Sequence, residues 1–161
     1  MRKNKIVPTI GAVVFSAFLG ILMTQASTTI HESIHVFVTK ALGGNASLVS
    51  ANLYTGATKY EYEGSKFGRI LIICSPPIII FFLAWYLWHA FGENSMIRVV
   101  SIIMWLYSVL PSSFPLLPGS DFNRAIAAGA NPIFIWAIWL LMNGIAYYEI
   151  IGEVMERYLG D

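Results

Sequence analysis

The sequence predicts an all-α polytopic membrane protein of about four transmembrane helices, with a short β-hairpin between the first and the second. Composition is the first observation: of 161 residues, 57% are hydrophobic and 12% are charged. A soluble domain of this length has too little interior to bury so much apolar side chain. The second observation is four stretches without Asp, Glu, Lys or Arg, at residues 6–30, 70–92, 99–120 and 125–148. Each exceeds the roughly 20 residues that cross a hydrocarbon core as a helix. We therefore expect a multi-pass protein of the lipid bilayer.

The length of the chain suits a single membrane-embedded domain, residues 1–161. Its predicted elements are helix 6–42, hairpin 46–63, helix 66–91, helix 96–110 with a broken segment at 111–120, and helix 131–158. The net charge of +1 and the lack of a long basic run argue against nucleic-acid binding. If the four helices each cross once, Lys and Arg divide five against five between the two sides, so the orientation stays open.

The first helix is predicted to end at Gly43-Gly44, because glycine accepts the left-handed conformation that closes helices. Strand formers then dominate residues 46–62, and Thr55-Gly56-Ala57 is typical of a turn. This pattern predicts the β-hairpin at the membrane surface. An irregular polar loop is the alternative.

Prolines interrupt the later helices. Pro76-Pro77 predicts a kink or an unwound stretch within the second helix, since proline removes backbone donors. Irregular backbone at membrane depth is tolerated only where protein or a polar cavity covers it. Three prolines between residues 111 and 120 predict an extended or broken segment there. Pro132 suits the first turn of the last helix.

Residues 31–35 read H-E-S-I-H, which is the H-E-x-x-H pattern of zinc hydrolases. On a helix, His31 and His35 share a face one turn apart, so both imidazoles can reach one metal ion. Glu32 lies about 100° around the helix from His31, where it can act on a metal-bound water without binding the metal. The alternative is a surface helix turn whose His and Glu side chains face lipid headgroups.

A catalytic zinc needs a third protein ligand and an open position. The candidate ligands are Asp121, Glu149, His89, Glu61 and Glu63. Asp121 is favoured because it follows the proline-broken segment, which can aim a carboxylate sideways into a helix bundle. The alternative role of Asp121 is the N-cap of a helix that starts at Phe122.

Three segments of the chain resemble the site-2 protease family of intramembrane zinc metalloproteases, peptidase family M50. The helix that carries residues 31–35 and ends in K-A-L-G-G is similar to the family's first core helix. The strand-rich insert followed by S-P-P at 75–77 resembles the family's hairpin and Gly-Pro segment. Residues 109–124, which include V-L-P and L-P-G-S-D-F-N-R, resemble its Asn-x-x-Pro…Leu-Asp-Gly motif. The resemblance covers about residues 19–124.

The resemblance implies that His31, His35 and Asp121 bind Zn²⁺ and that Glu32 is the catalytic base. It also implies that the substrate is a transmembrane segment of another membrane protein, cut by an intramembrane zinc endopeptidase. The alternative is a catalytically inactive membrane metal-binding or interaction protein of the same fold. Its motivation is Phe122, which follows Asp121 where the family has glycine. The sequence is also compatible with an oligomer.

Overall fold

A computed structural model describes residues 6–51, 56–91 and 95–159. Its helices and strands are α1 Ile6–Ala41, β1 Asn45–Ala51, β2 Gly56–Glu61, α2 Lys66–Ala90, α3 Ser95–Met104, α4 Leu110–Ser113, α5 Asp121–Ala127 and α6 Pro132–Leu159. A π-helical turn, Trp105–Val109, joins α3 to α4. The prediction of a mostly helical chain with a hairpin between its first two long helices is confirmed.

Two helices among the described residues are long and apolar enough to cross a membrane, Lys66–Ala90 and Pro132–Glu153. This criterion is one of length and composition, which the core helix of a soluble protein also meets. Half of the apolar window of α2 is buried, against 17% of that of α6. As a result, α6 exposes large apolar side chains such as Ile133 and Phe134. Four separate crossings stay a prediction.

Strands β1 and β2 form an antiparallel pair in which Asn45 lies opposite Glu61 and Ala51 lies opposite Gly56. The predicted turn at 55–57 differs from this arrangement, because Gly56 and Ala57 are already paired in β2. The residues that join the two strands, 52–55, lie outside the described part of the chain.

One face of β2 is turned towards the protein. Gly56, Thr58 and Tyr60 are half-buried, whereas the residues between them are exposed. Successive side chains of a strand point to opposite faces, so these three residues share the inner face.

Pro76 and Pro77 lie inside α2, which continues without interruption from Lys66 to Ala90. Both prolines are fully buried. The predicted unwound stretch is absent from this helix, and the local effect of the prolines is the loss of two amide donors. The carbonyls of Ile72 and Ile73, four residues earlier, would have accepted from those amides.

The segment 111–120, predicted as broken, begins with the short helix α4. Pro111 is its second residue, directly after the π-helical turn Trp105–Val109, and the helical run that begins with α3 continues through it. The irregular part therefore starts at Phe114 and ends at Ser120, after Gly119 with a φ of +83°. Its last residue is the N-cap of α5, since the Ser120 side chain accepts a hydrogen bond from the Asn123 amide at 3.2 Å.

Candidate metal centre

The two histidines of the H-E-x-x-H pattern lie side by side on α1. His31 and His35 are both buried, and their ring centroids are 5.2 Å apart in an edge-to-face arrangement. Their separation of four residues places them one above the other on one helix face. One turn of α1 therefore supplies two imidazoles to the protein interior.

Helix α5 brings Asp121 to these imidazoles. Asp121 Oδ2 lies 2.9 Å from His31 Nε2, and Asp121 Oδ1 lies 3.5 Å from His35 Nε2. The helix is anchored by Phe122, which is fully buried in the hydrophobic core. The N-cap alternative for Asp121 does not hold, because Ser120 caps the helix and leaves the Asp121 carboxylate free to face the histidines.

The donor set fits a metal ion. One potential ligand atom from each of His31, His35 and Asp121 lies within 4.8 Å of the other two. Two ligands at 2.0–2.1 Å from a tetrahedral zinc are about 3.3 Å apart, a value between the two distances given above. The buried Asp121 Oδ2 has no hydrogen-bond partner among the described residues, and His31 Nε2 is 2.9 Å from it. A bound cation would satisfy this oxygen, which is costly to leave unpaired.

The interactions of Asp121 favour its ionised carboxylate, the form that binds a metal ion. Burial by itself raises the pKa of Asp121, but the interactions with His31 and His35 outweigh burial and lower it to about 2. Arg124, one turn along α5, adds a positive charge with its Nη1 3.5 Å from Asp121 Oδ1.

Glu32 lies directly beneath β2. Its Oε2 accepts a hydrogen bond of 2.6 Å from Thr58 Oγ1, which also lies 3.2 Å from the Glu32 backbone oxygen. Gly56 packs so closely that a Cβ atom at this position would overlap Cγ, Cδ and Oε1 of Glu32. Glycine is therefore the residue that allows β2 to approach the carboxylate.

Tyr60, the third residue on the inner face of β2, contacts the group of His31, His35 and Asp121 itself. Its ring stacks on His35 with centroids 6.3 Å apart and planes 20° apart. Its hydroxyl accepts a hydrogen bond of 3.2 Å from Arg124 Nη2. Sequence reasoning missed Gly56, Thr58 and Tyr60 as site residues. Gly56 was assigned to the turn, and the spacing of two between Thr58 and Tyr60 predicts only that they share a face of the strand.

The remaining candidate ligands lie elsewhere. His89 Nε2 and Glu149 Oε1 pair with each other at 3.4 Å. Glu61 lies at the surface, 3.7 Å from Lys59, and Glu63 is exposed. Within the described residues, the group that could hold a metal ion consists of His31, His35 and Asp121.

Comparisons of the chain with protein-family models, with curated proteins and with solved structures gave no match. The class of the protein is described from its fold and its site alone. In its described residues it is mostly helical, with two candidate membrane spans and a buried group of two histidines and one aspartate that could hold a metal ion.

Proposed function

We propose that this chain is a multi-pass intramembrane zinc endopeptidase that cleaves a transmembrane segment of another membrane protein. The observation that carries the proposal is the convergence of His31, His35 and Asp121 at a buried point beside Glu32. Three nitrogen and carboxylate ligands, a fourth position for water or substrate and a nearby carboxylate are the parts of a hydrolytic zinc site.

The residues divide the chemistry between them. Zinc held by the three ligands would polarise the scissile carbonyl and acidify the attacking water. Glu32 takes the proton from that water as the carbon–oxygen bond forms, and it returns the proton to the leaving nitrogen as the carbon–nitrogen bond breaks. The hydroxyl of Thr58 donates to Oε2 of Glu32 and holds the carboxylate in place.

The hairpin supports a peptide substrate. Its sheet has two strands, so β2 keeps one edge that no described strand covers. An extended peptide can bind such an edge by strand addition. A transmembrane helix hides its carbonyls in its own hydrogen bonds, so the substrate must unwind before it can bind in this way.

A comparison of wild type with Glu32→Gln tests the proposal whichever membrane protein is the substrate. Glutamine keeps the size of the side chain but cannot take a proton. We expect new N-termini inside transmembrane segments of the membrane proteome of cells that express wild type, found by N-terminal labelling and mass spectrometry. In the variant these products should fall by about 10²–10⁴-fold, the contribution of a general base, while zinc content stays equal. Equal products in both would contradict the mechanism.

A second candidate function is a membrane metal-binding or interaction protein without proteolytic activity. The hydrogen bond from Thr58, which occupies Oε2 of the proposed base, favours it. Phe122 also favours this candidate, because the family that the chain resembles has glycine at this position. This candidate predicts zinc in the purified protein, and wild-type cleavage products no more abundant than those of Glu32→Gln.

A further inference from the structure

A backbone carbonyl of α2 reaches the metal centre. The oxygen of Ile72 lies 3.0 Å from Nδ1 of His35, across the interface between α1 and α2. A carbonyl can only accept a hydrogen bond, so Nδ1 carries the hydrogen. Nε2, which faces Asp121, then keeps its lone pair for a metal ion. Outer partners of this kind fix both the tautomer and the orientation of a ligating histidine.

The sequence of α2 explains why this carbonyl is available. In a regular α-helix the oxygen of residue 72 accepts from the amide of residue 76. Residue 76 is proline, which has no amide hydrogen. The Ile72 oxygen accepts instead from Ser75 Oγ at 3.0 Å and from His35 at the same distance. A carbonyl has two lone pairs, and these two donors use both of them.

We propose that Pro76 is a positioning residue of the metal centre. By withholding an amide hydrogen from Ile72, it leaves that carbonyl to hold His35 in the ligand tautomer. The inference rests on the proposed zinc site, but it does not depend on peptidase activity. Pro77 is the natural comparison: it is equally buried and equally interior to α2, yet it frees the carbonyl of Ile73, about 100° further around the helix.

The test measures metal binding by the full chain in detergent, with Zn²⁺ affinity from chelator competition and Co²⁺ as a spectroscopic probe. Pro76→Ala restores an amide, so that three donors compete for the two lone pairs of Ile72. We expect about 10- to 100-fold weaker Zn²⁺ binding, the usual cost of losing an outer partner, and a shifted Co²⁺ visible spectrum. Pro77→Ala removes the same ring one residue away and should keep both properties of wild type.

A second substitution separates positioning from a general change in α2. Ser75→Ala removes one of the competing donors and by itself should leave metal binding unchanged. Combined with Pro76→Ala, it frees a lone pair for His35 and should recover most of the affinity and the wild-type Co²⁺ spectrum. A structural role of Pro76 gives no reason for such a recovery. Pro76→Gly supplies the same amide and replaces Pro76→Ala if the latter does not purify.

The possible outcomes distinguish the role of Pro76 from the proposed zinc site. Equal Zn²⁺ affinity in Pro76→Ala and Pro77→Ala would overturn the role of Pro76, and so would failure of Ser75→Ala to rescue. In both cases the proposed zinc site of wild type would remain supported. Lack of Zn²⁺ binding by wild type would instead overturn the proposed function, and this inference with it.

Discussion

Histidine–carboxylate pairs occur at two different places in the described part of the molecule. His31 and Asp121 approach to 2.9 Å with side chains 11% and 5% exposed, whereas His89 and Glu149 approach to 3.4 Å with side chains 41% and 30% exposed. The chemical groups are the same and the distances are similar. The first pair is buried and has a second imidazole beside it. A histidine next to a carboxylate is thus not enough for a metal site; a third converging ligand and shelter from water are also needed.

The local sequence produces this difference. His31 has His35 one turn along α1, so a second nitrogen ligand follows from helix geometry alone. His89 has Trp85 one turn before it on α2, and the two rings are in contact with centroids 4.6 Å apart. An exposed pair of this kind contributes roughly 0–1 kcal/mol to stability.

Gly56→Ala, in the region of His31 and Asp121, should have the largest effect on cleavage. The new Cβ would overlap the Glu32 side chain, so either the carboxylate or β2 must move. We expect cleavage to fall by about 100-fold, the lower end of a general base's contribution, while zinc content is retained. The yield of transmembrane cleavage products measures this effect.

Gly144→Ala, on α6 five residues before Glu149, is the matched control. A Cβ there meets no atom of the described residues within 4 Å beyond the local helix backbone, so this variant should cleave like wild type. Equal activity of the two alanine variants would show that close packing of β2 on Glu32 does not matter for the reaction.

Thr58→Val should have an intermediate effect. It keeps the shape of the side chain and removes the hydroxyl that donates to Glu32. A hydrogen bond to a charged group contributes about 1.5–3 kcal/mol, which corresponds to roughly 10- to 100-fold in rate. We expect about a tenfold loss of cleavage and unchanged zinc content, with recovery in Thr58→Ser. A serine variant as impaired as the valine variant would contradict the role of the hydroxyl.

Glu149→Gln should have the smallest effect, because it removes the charge of a pair that is partly open to solvent. We expect the free energy of unfolding in detergent to change by less than about 1 kcal/mol. Zinc content and cleavage should stay at the wild-type level. Loss of zinc from this variant would break the distinction between the two pairs.

Local spacing made half of the site predictable. The helical period predicts that His31 and His35 share one face. Asp121 could be predicted as the third ligand because few carboxylates are available and this one follows a proline-broken segment. The contacts of Thr58 and Tyr60 were not predictable, because they depend on how the hairpin packs on α1. The same holds for the bond between His35 and Ile72, which joins two helices.

The region from 111 to 120 is irregular from Phe114 onward, as predicted, but its first three residues are helical. Three prolines suggested a break throughout, yet the helical run of α3 continues through the π-helical turn into α4, which includes Pro111. The start of α5 was marked in the sequence by Ser120, a preferred N-cap residue. That assignment would also have removed the N-cap alternative for Asp121.

The central claim is that Asp121 completes a three-ligand zinc site. Zinc per chain, measured by mass spectrometry of metals on wild type, Asp121→Asn and Glu149→Gln purified alike, tests it most directly. The two substitutions remove the same charge with little change in volume from the two pairs compared above. We expect one zinc per chain in wild type and Glu149→Gln, and a large loss in Asp121→Asn. Undiminished zinc in Asp121→Asn would remove Asp121 from the ligand set and contradict the account.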